Sequence, residues 1–101
     1  MPPKEVPDYL VPTYAMVMSA YPDGIPLADH LPLAALLQQG MSFRVTGRML
    51  EFLNITDYHR GYHMALVVAS SDGSPSVTEI ERVRKRLLPF GYEKWLLEQE
   101  I

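Results

Sequence analysis

Signals that end or begin helices recur at short intervals along this chain, and they limit what it can fold into. Nine prolines and six glycines are spread over its 101 residues, and most of them lie where a run of helical apolar periodicity ends or begins. Because proline breaks a helix interior and glycine favours helix C-termini, no segment is left for a long helix. Between the breaks, apolar residues recur at helical spacing. We therefore predict an all-α fold, a compact bundle of five to six short helices in a single domain.

The first half of the chain contains three predicted helices. The first spans residues from about 9 to 20. The corner Tyr21–Asp29 ends it, because residues before proline avoid the α region and Asp-Gly favours a turn. Gly47 lies within the third helix and is expected to allow a neighbouring helix to pack closely. The second helix is expected to begin at the N-cap Asp29 and to end at Gly40. The third is expected to begin at the N-cap Ser42 and to end near Asn54.

The fourth predicted helix runs to about Ala69, and either Thr56 or Asp57 is its N-cap. Its apolar stripe has a good helical period, so we expect that stripe to face the core. A polar loop, Ser70–Pro75, follows and separates this helix from the next. The residues of the predicted buried stripe are Tyr58, Tyr62, Ala65, Leu66 and Ala69.

A capping box marks the start of the fifth helix. Ser76 and Glu79 have the spacing at which each side chain satisfies one unpaired backbone N–H, and Pro89 ends the helix. A last helix is expected over residues 93 to 100. The domain organisation that follows is a flexible lead-in over 1–7, a helical domain over 8–92, and a C-terminal helix or tail over 93–101.

The absence of cysteine excludes several classes of protein. The chain has no disulfide, no Cys-based zinc site, no iron–sulfur cluster and no thiol nucleophile, and small secreted domains usually rely on disulfides. The N-terminus lacks the apolar core of a signal peptide. The longest strongly apolar stretch, Met64–Ala69, is far shorter than the roughly 20 residues of a membrane span. We therefore expect a cytoplasmic protein that binds no membrane.

No arrangement of residues in the sequence indicates catalysis. The serines of the polar loop lie in no nucleophile elbow, the carboxylates are scattered, and no glycine-rich phosphate loop occurs. His59 and His63 are four residues apart on the predicted fourth helix, as two zinc ligands would be, but a zinc site needs three or four converging ligands. We therefore predict a non-enzymatic protein that holds no metal and uses no cofactor.

Two motifs resemble those of a known family. Residues Tyr21–Asp29 read YPDGIPLAD and lead into the leucine-rich segment Pro32–Leu37, and Pro75–Tyr92 carries a second, weaker pattern. Together they resemble a family of small actinobacterial proteins, best known from mycobacteria, that is classed as a domain of unknown function. The resemblance covers residues from about 14 to 92. It implies an all-helical compact fold and no established activity.

A basic cluster on the predicted fifth helix is the main candidate for partner binding. Arg82, Lys85 and Arg86 share one face of that helix, and the aromatic residues Tyr92 and Trp95 follow it. We expect these five residues to bind a protein partner. Self-association is also open, because an exposed tail at Trp95–Leu97 could pair with a second copy of the chain.

Nucleic-acid binding is the alternative function. It would use the basic face of the 76–88 helix or the 42–53 helix, where Arg44 and Arg48 lie four residues apart. The second and third helices superficially resemble a helix-turn-helix. A net charge of −3 argues against a general attraction to nucleic acid, so we rank a protein partner first. The corner Tyr21–Asp29 is interpreted as a structural feature first and as a partner-binding loop second.

Overall fold

Six short α-helices make up the part of the chain that the structure describes. The structure is a computed structural model and describes residues 5–70 and 72–99. Those two ranges contain no strand, and their helices form one compact unit, which confirms the predicted all-α bundle. None of the six helices is long and apolar enough to cross a bilayer. The helices are α1 Val11–Ala20, α2 His30–Gln38, α3 Phe43–Phe52, α4 Tyr58–Ala69, α5 Val77–Leu87 and α6 Tyr92–Gln99, with 3-10 turns at Asp8–Leu10, Leu27–Asp29 and Leu88–Phe90.

The central helix of the bundle is α2. All five residues from Leu33 to Leu37 are buried, and the helix contacts α3, α4 and α5. A helix that is apolar around most of its circumference has little surface to offer to water, so its neighbours enclose it. The buried faces of α1, α5 and α6 belong to the same hydrophobic core and close the bundle around α2.

Three of the helix starts are capped as the sequence predicts. Asp57, rather than Thr56, caps α4. Only half of the predicted capping box forms at α5, because the Glu79 carboxylate accepts a hydrogen bond from the Ser76 hydroxyl at 3.0 Å and not from a backbone N–H. In each cap a side-chain oxygen accepts a hydrogen bond from a backbone N–H three residues later. Ser42 accepts from Val45, Asp57 from Arg60, and Ser76 from Glu79.

Asp29 is not the N-cap that was predicted for α2. Its backbone already has helical angles, φ −96° and ψ −4°, and its side chain makes no capping hydrogen bond. The 3-10 turn Leu27–Asp29 runs directly into α2 instead. The Asp29 carboxylate therefore points into the protein, where the residue is only 2% exposed.

The face that α4 turns inward also differs from the predicted one. Its buried residues are Gly61, Ala65 and Val68, whereas Leu66 and Ala69 of the predicted stripe are exposed. Apolar periodicity alone was ambiguous here because α4 carries apolar or small residues on more than one face. The contact that selects the buried face is the approach of α3.

A glycine pair allows α3 and α4 to pack closely. A Cβ added to Gly47 would lie 2.7 Å from the backbone nitrogen of Tyr62, and one added to Gly61 would lie 2.7 Å from the carbonyl oxygen of Gly47. Neither position has room for a side chain. The predicted close packing at Gly47 is therefore confirmed, and its partner is Gly61.

Both ends of the described chain join the core. Val6, within the predicted lead-in, is 9% exposed, and Trp95, within the predicted tail, is 4% exposed. The 3-10 turn Asp8–Leu10 runs directly into α1, so no break separates the N-terminal segment from the first helix. The parts of the predicted lead-in, polar loop and tail at residues 1–4, 71 and 100–101 lie outside the described residues.

Candidate functional site

A buried carboxylate joins the corner Tyr21–Asp29 to the basic cluster of α5. Oδ2 of Asp29 accepts a hydrogen bond from the Tyr21 hydroxyl at 2.8 Å, and Oδ1 accepts one from Nη1 of Arg82. Tyr21 is fully buried, whereas 52% of the Arg82 side chain is exposed. Two segments that were singled out separately in the sequence therefore meet in one cluster.

Burial and charge set the protonation states in this cluster. Burial acts to raise the pKa of Asp29, but the hydrogen bonds from Arg82 and Tyr21 and the nearby charges of Arg82 and Arg86 outweigh it, so the pKa lies below its ordinary value. Burial and the hydrogen bond to Asp29 raise the pKa of Tyr21, and the same carboxylate raises the pKa of Arg82. At neutral pH Asp29 is ionised and Tyr21 is neutral. That arrangement fixes the corner and gives no group poised for proton transfer.

Arg86 is also used by the fold. Its guanidinium lies 4.1 Å from the centroid of the Tyr21 ring, and its Nε donates to the Ala20 carbonyl at 2.8 Å. It therefore holds the C-terminal end of α1 against α5. The residue is exposed, but it does not line the groove on the outer face of α5 that is described below, so we remove Arg86 from the candidate binding surface.

Tyr92 and Trp95 are not surface residues. Their exposed fractions are 2% and 4%, and their rings stack with centroids 5.7 Å apart. The Trp95 indole N–H donates to Oγ1 of Thr13 at 2.7 Å, and the Tyr92 hydroxyl donates to Oε1 of Gln39 at 3.1 Å. Burial also raises the pKa of Tyr92. The expectation that these two rings lie on an exposed surface is wrong, because α6 folds back and places both in the core.

The outer face of α5 keeps a groove that is open to solvent, which we call the α5 groove. Val77 at its start is 84% exposed. Lys85 is exposed and makes no ion pair with another described residue, whereas Arg84 pairs with Glu81 at 2.8 Å. Of the five predicted partner-binding residues, this groove contains Arg82 and Lys85. Its volume is about 480 Å³, and its lining residues are Val77, Thr78, Glu81, Arg82 and Lys85.

A second groove lies beside α3 and α4, and we call it the α3 groove. The Arg48 guanidinium lies 4.4 Å from the centroid of the Tyr58 ring and meets the Glu51 carboxylate at 3.4 Å. No residue of α5 lines this groove, so Arg44 and Arg48 do not extend the basic cluster of α5. Its volume is about 440 Å³, and its lining residues are Tyr9, Arg44, Val45, Arg48 and Tyr58.

Sequence reasoning missed the two tyrosines of the α3 groove. Tyr9 precedes α1, and Tyr58 was assigned to the buried stripe of α4, so neither carried a signal that linked it to Arg44. The spacing of Arg44 and Arg48 on one helix was the only pointer to this surface. Tyr58 reaches the arginines because α3 crosses α4 closely, whereas Tyr9 comes from the 3-10 turn before α1, and no local pattern reports either approach.

The histidines form no metal site within the described residues. His59 and His63 are exposed on α4, and the described ranges contain no group of three His, Cys, Asp or Glu side chains that could hold a metal ion. His30 places Nε2 3.1 Å from the carbonyl oxygen of Ile25, which lies inside the corner. The three histidines are therefore divided between a helix surface and a structural turn.

Comparison with known proteins assigns neither a family nor a function to the chain. The chain has no significant match to a protein-family model, to a curated protein or to a solved structure. The function is therefore argued from the two grooves and the groups that line them.

Proposed function

We propose that the protein is a non-enzymatic helical module that binds another protein through the α5 groove. The observation that carries the proposal is the presence of an exposed apolar side chain, Val77, and a cation without a described counter-ion, Lys85, in one groove. Such a surface suits a partner segment that presents apolar side chains together with carboxylates.

Arg82 supports the proposal because it is both anchored and accessible. The buried carboxylate of Asp29 holds its guanidinium, yet 52% of the side chain is exposed and lines the groove. A side chain that is already ordered loses less conformational entropy when a partner binds. The N–H groups of Arg82 that Asp29 leaves available are thus positioned in advance for a carboxylate of the partner.

Charge reversal at Lys85 tests the proposal. The full chain is used to purify an interacting protein from its native cell, and the identified protein is then titrated against each variant by calorimetry. We expect Lys85→Glu to weaken binding by about tenfold or more, because it turns an attraction to carboxylates into a repulsion. Lys94→Glu makes the same change at an exposed position of α6 and is the matched control.

A second substitution in the same groove addresses its apolar part. Val77→Asp places a charge where the partner would bury an apolar group, and we expect it to weaken binding by about tenfold or more as well. Circular dichroism should show unchanged helicity for all three variants, since each position is exposed. If Lys85→Glu and Val77→Asp both bind as the parent chain does, the α5 groove is not the contact surface.

Nucleic-acid binding, self-association, a cytoplasmic location and the family resemblance were also predicted from the sequence. Nucleic-acid binding is less well supported on α5, because Arg84 pairs with Glu81 and Arg86 binds the Ala20 carbonyl, which leaves Arg82 and Lys85 as the cations of the α5 groove. Self-association would have to use exposed residues such as Leu97, at 66%, and is detected by the mass of the purified chain in solution. The cytoplasmic location and the kinship with the actinobacterial family remain part of the proposal.

A further inference from the structure

The α3 groove brings guanidinium and phenol groups together from three separate elements. Arg44 and Arg48 come from α3, Tyr58 from α4, and Tyr9 from the 3-10 turn that precedes α1. We propose that this groove is a second binding site, distinct from the α5 groove, that takes a nucleotide unit, with the phosphate on the arginines and the base against a tyrosine ring.

The phosphate part of the proposal rests on the two arginines. Arg44 and Arg48 are one helical turn apart and therefore project from the same side of α3. Arg44 is exposed and forms no ion pair with another described residue. Arg48 is held in place above Tyr58, and its contact with Glu51 is long, at 3.4 Å, so its fork remains able to bind an anion. The planar guanidinium fork matches phosphate oxygens better than a lysine does.

The base part rests on Tyr9, because the Arg48 guanidinium already lies against the ring of Tyr58. Tyr9 is 64% exposed although it lies in an ordered turn that runs directly into α1. An exposed ring on ordered backbone is a stacking platform, and base stacking on such a ring changes affinity by about fivefold to a hundredfold per base. The groove volume of about 440 Å³ also falls within the range of roughly 300–1,000 Å³ that is typical of small-molecule sites.

Two sources could supply this ligand chemistry, a free mononucleotide or a unit within single-stranded nucleic acid. Both present one phosphate and one unpaired base, which is what the groove can recognise. A duplex hides its base faces, so the tyrosines would contribute nothing to binding it. The net charge of −3 also favours a confined contact over a broad one along a duplex.

Calorimetric titration of the full chain tests the proposal with four probes. These are AMP, adenosine, ribose 5-phosphate and a short oligothymidylate. We expect AMP or the oligothymidylate to bind, and adenosine and ribose 5-phosphate each to bind at least about tenfold more weakly than AMP, because each lacks one half of the ligand. Tighter binding of the oligothymidylate than of AMP identifies a strand as the source, and the reverse identifies a free nucleotide.

Matched substitutions locate the binding to the groove. Arg44→Ala should weaken the bound probe by about tenfold or more and Tyr9→Ala by about fivefold or more. Arg60→Ala removes the same charge at a position of α4 that is 82% exposed and outside the groove, so it should change affinity by less than about twofold. All three positions are exposed, and unchanged circular dichroism shows that each variant is folded.

Three results would overturn the proposal. The first is that neither AMP nor the oligothymidylate binds at ligand concentrations up to about 1 mM. The second is that ribose 5-phosphate binds as tightly as AMP, which would leave the rings without a role. The third is that Arg60→Ala weakens binding as much as Arg44→Ala does, which would show a diffuse effect of charge rather than a site.

Discussion

Asp29 links the corner between α1 and α2 to α5, and its substitution measures that link. Asp29→Asn keeps the shape of the side chain and an oxygen that can accept from Tyr21, but it removes the negative charge that Arg82 binds. We expect the free energy of unfolding to fall by about 1–2 kcal/mol at neutral pH, because a buried hydrogen-bonded charge is lost. Urea denaturation followed by circular dichroism measures the change.

The same variant should differ from the parent chain in how its stability depends on pH. The pKa of Asp29 is lower in the folded chain than its ordinary value of 3.8, so the unfolded chain takes up the proton more readily. The contribution of this carboxyl to stability is therefore complete above about pH 5 and disappears as the pH falls through the folded-state pKa. We expect the difference in unfolding free energy between the two chains to shrink over that interval.

An exposed aspartate of the same corner provides the control. Asp23 lies in the turn and is exposed, so Asp23→Asn should change the free energy of unfolding by less than about 0.5 kcal/mol. A difference between parent and Asp29→Asn that stays constant between about pH 5 and pH 2 would contradict the role assigned to this carboxylate.

Among the helices, the crossing of α3 and α4 depends on two residues without side chains. Gly47→Ala should favour the helical state by about 1 kcal/mol if propensity alone mattered. The added Cβ would however lie 2.7 Å from a backbone nitrogen of α4, which cannot move aside as a flexible side chain can. We expect the clash to prevail and the free energy of unfolding to fall by about 1–3 kcal/mol in urea denaturation.

A substitution to alanine at an exposed position of the same helix shows the effect of the change where no backbone lies close. Arg44→Ala is exposed and should change the free energy of unfolding by less than about 0.5 kcal/mol. Gly61→Ala meets the carbonyl oxygen of Gly47 at 2.7 Å and should destabilise the chain as Gly47→Ala does. A chain that Gly47→Ala stabilises would show that the two helices can separate without loss.

For the molecule as a whole, contacts between distant segments predict a single cooperative unfolding transition. The Trp95 indole binds Thr13 across 82 residues of sequence, and Arg82 binds Asp29 across 53. Because α6 is tied to α1 and α5 to the corner, neither can detach without exposing the shared core. Fluorescence of Trp95, the only tryptophan, and far-UV circular dichroism should therefore give coincident urea transitions.

A separate unfolding step of α6 would appear as a fluorescence change at lower urea than the loss of helicity. That result would contradict the assignment of Trp95 to the core. Thr13→Val provides a sharper comparison, because it leaves the buried indole N–H without its acceptor. If the contact matters, this variant should shift both transitions together to lower urea.

The sequence was sufficient to predict the helices, but it was insufficient to predict which of their surfaces pack together. Ser42 and Ser76 were assigned correctly as caps, and Asp57 was one of two candidates for α4, because a cap joins residues three positions apart and needs no contact with a distant segment. The all-α class followed from the same short-range signals. Gly47 also pointed correctly to close packing, although its partner Gly61 could not be named.

Which residues face one another was settled by packing between helices that lie far apart in the chain. Asp29 was expected to cap α2 and instead turns inward to Arg82, while Tyr92 and Trp95 were expected outside and lie in the core. Tyr9 and Arg44 line the same groove, but the positions of these residues in the sequence gave no sign of it. Periodicity shows that a helix has an apolar face, but the angle and distance at which its neighbours cross decide which side chains are buried and which groups share a groove.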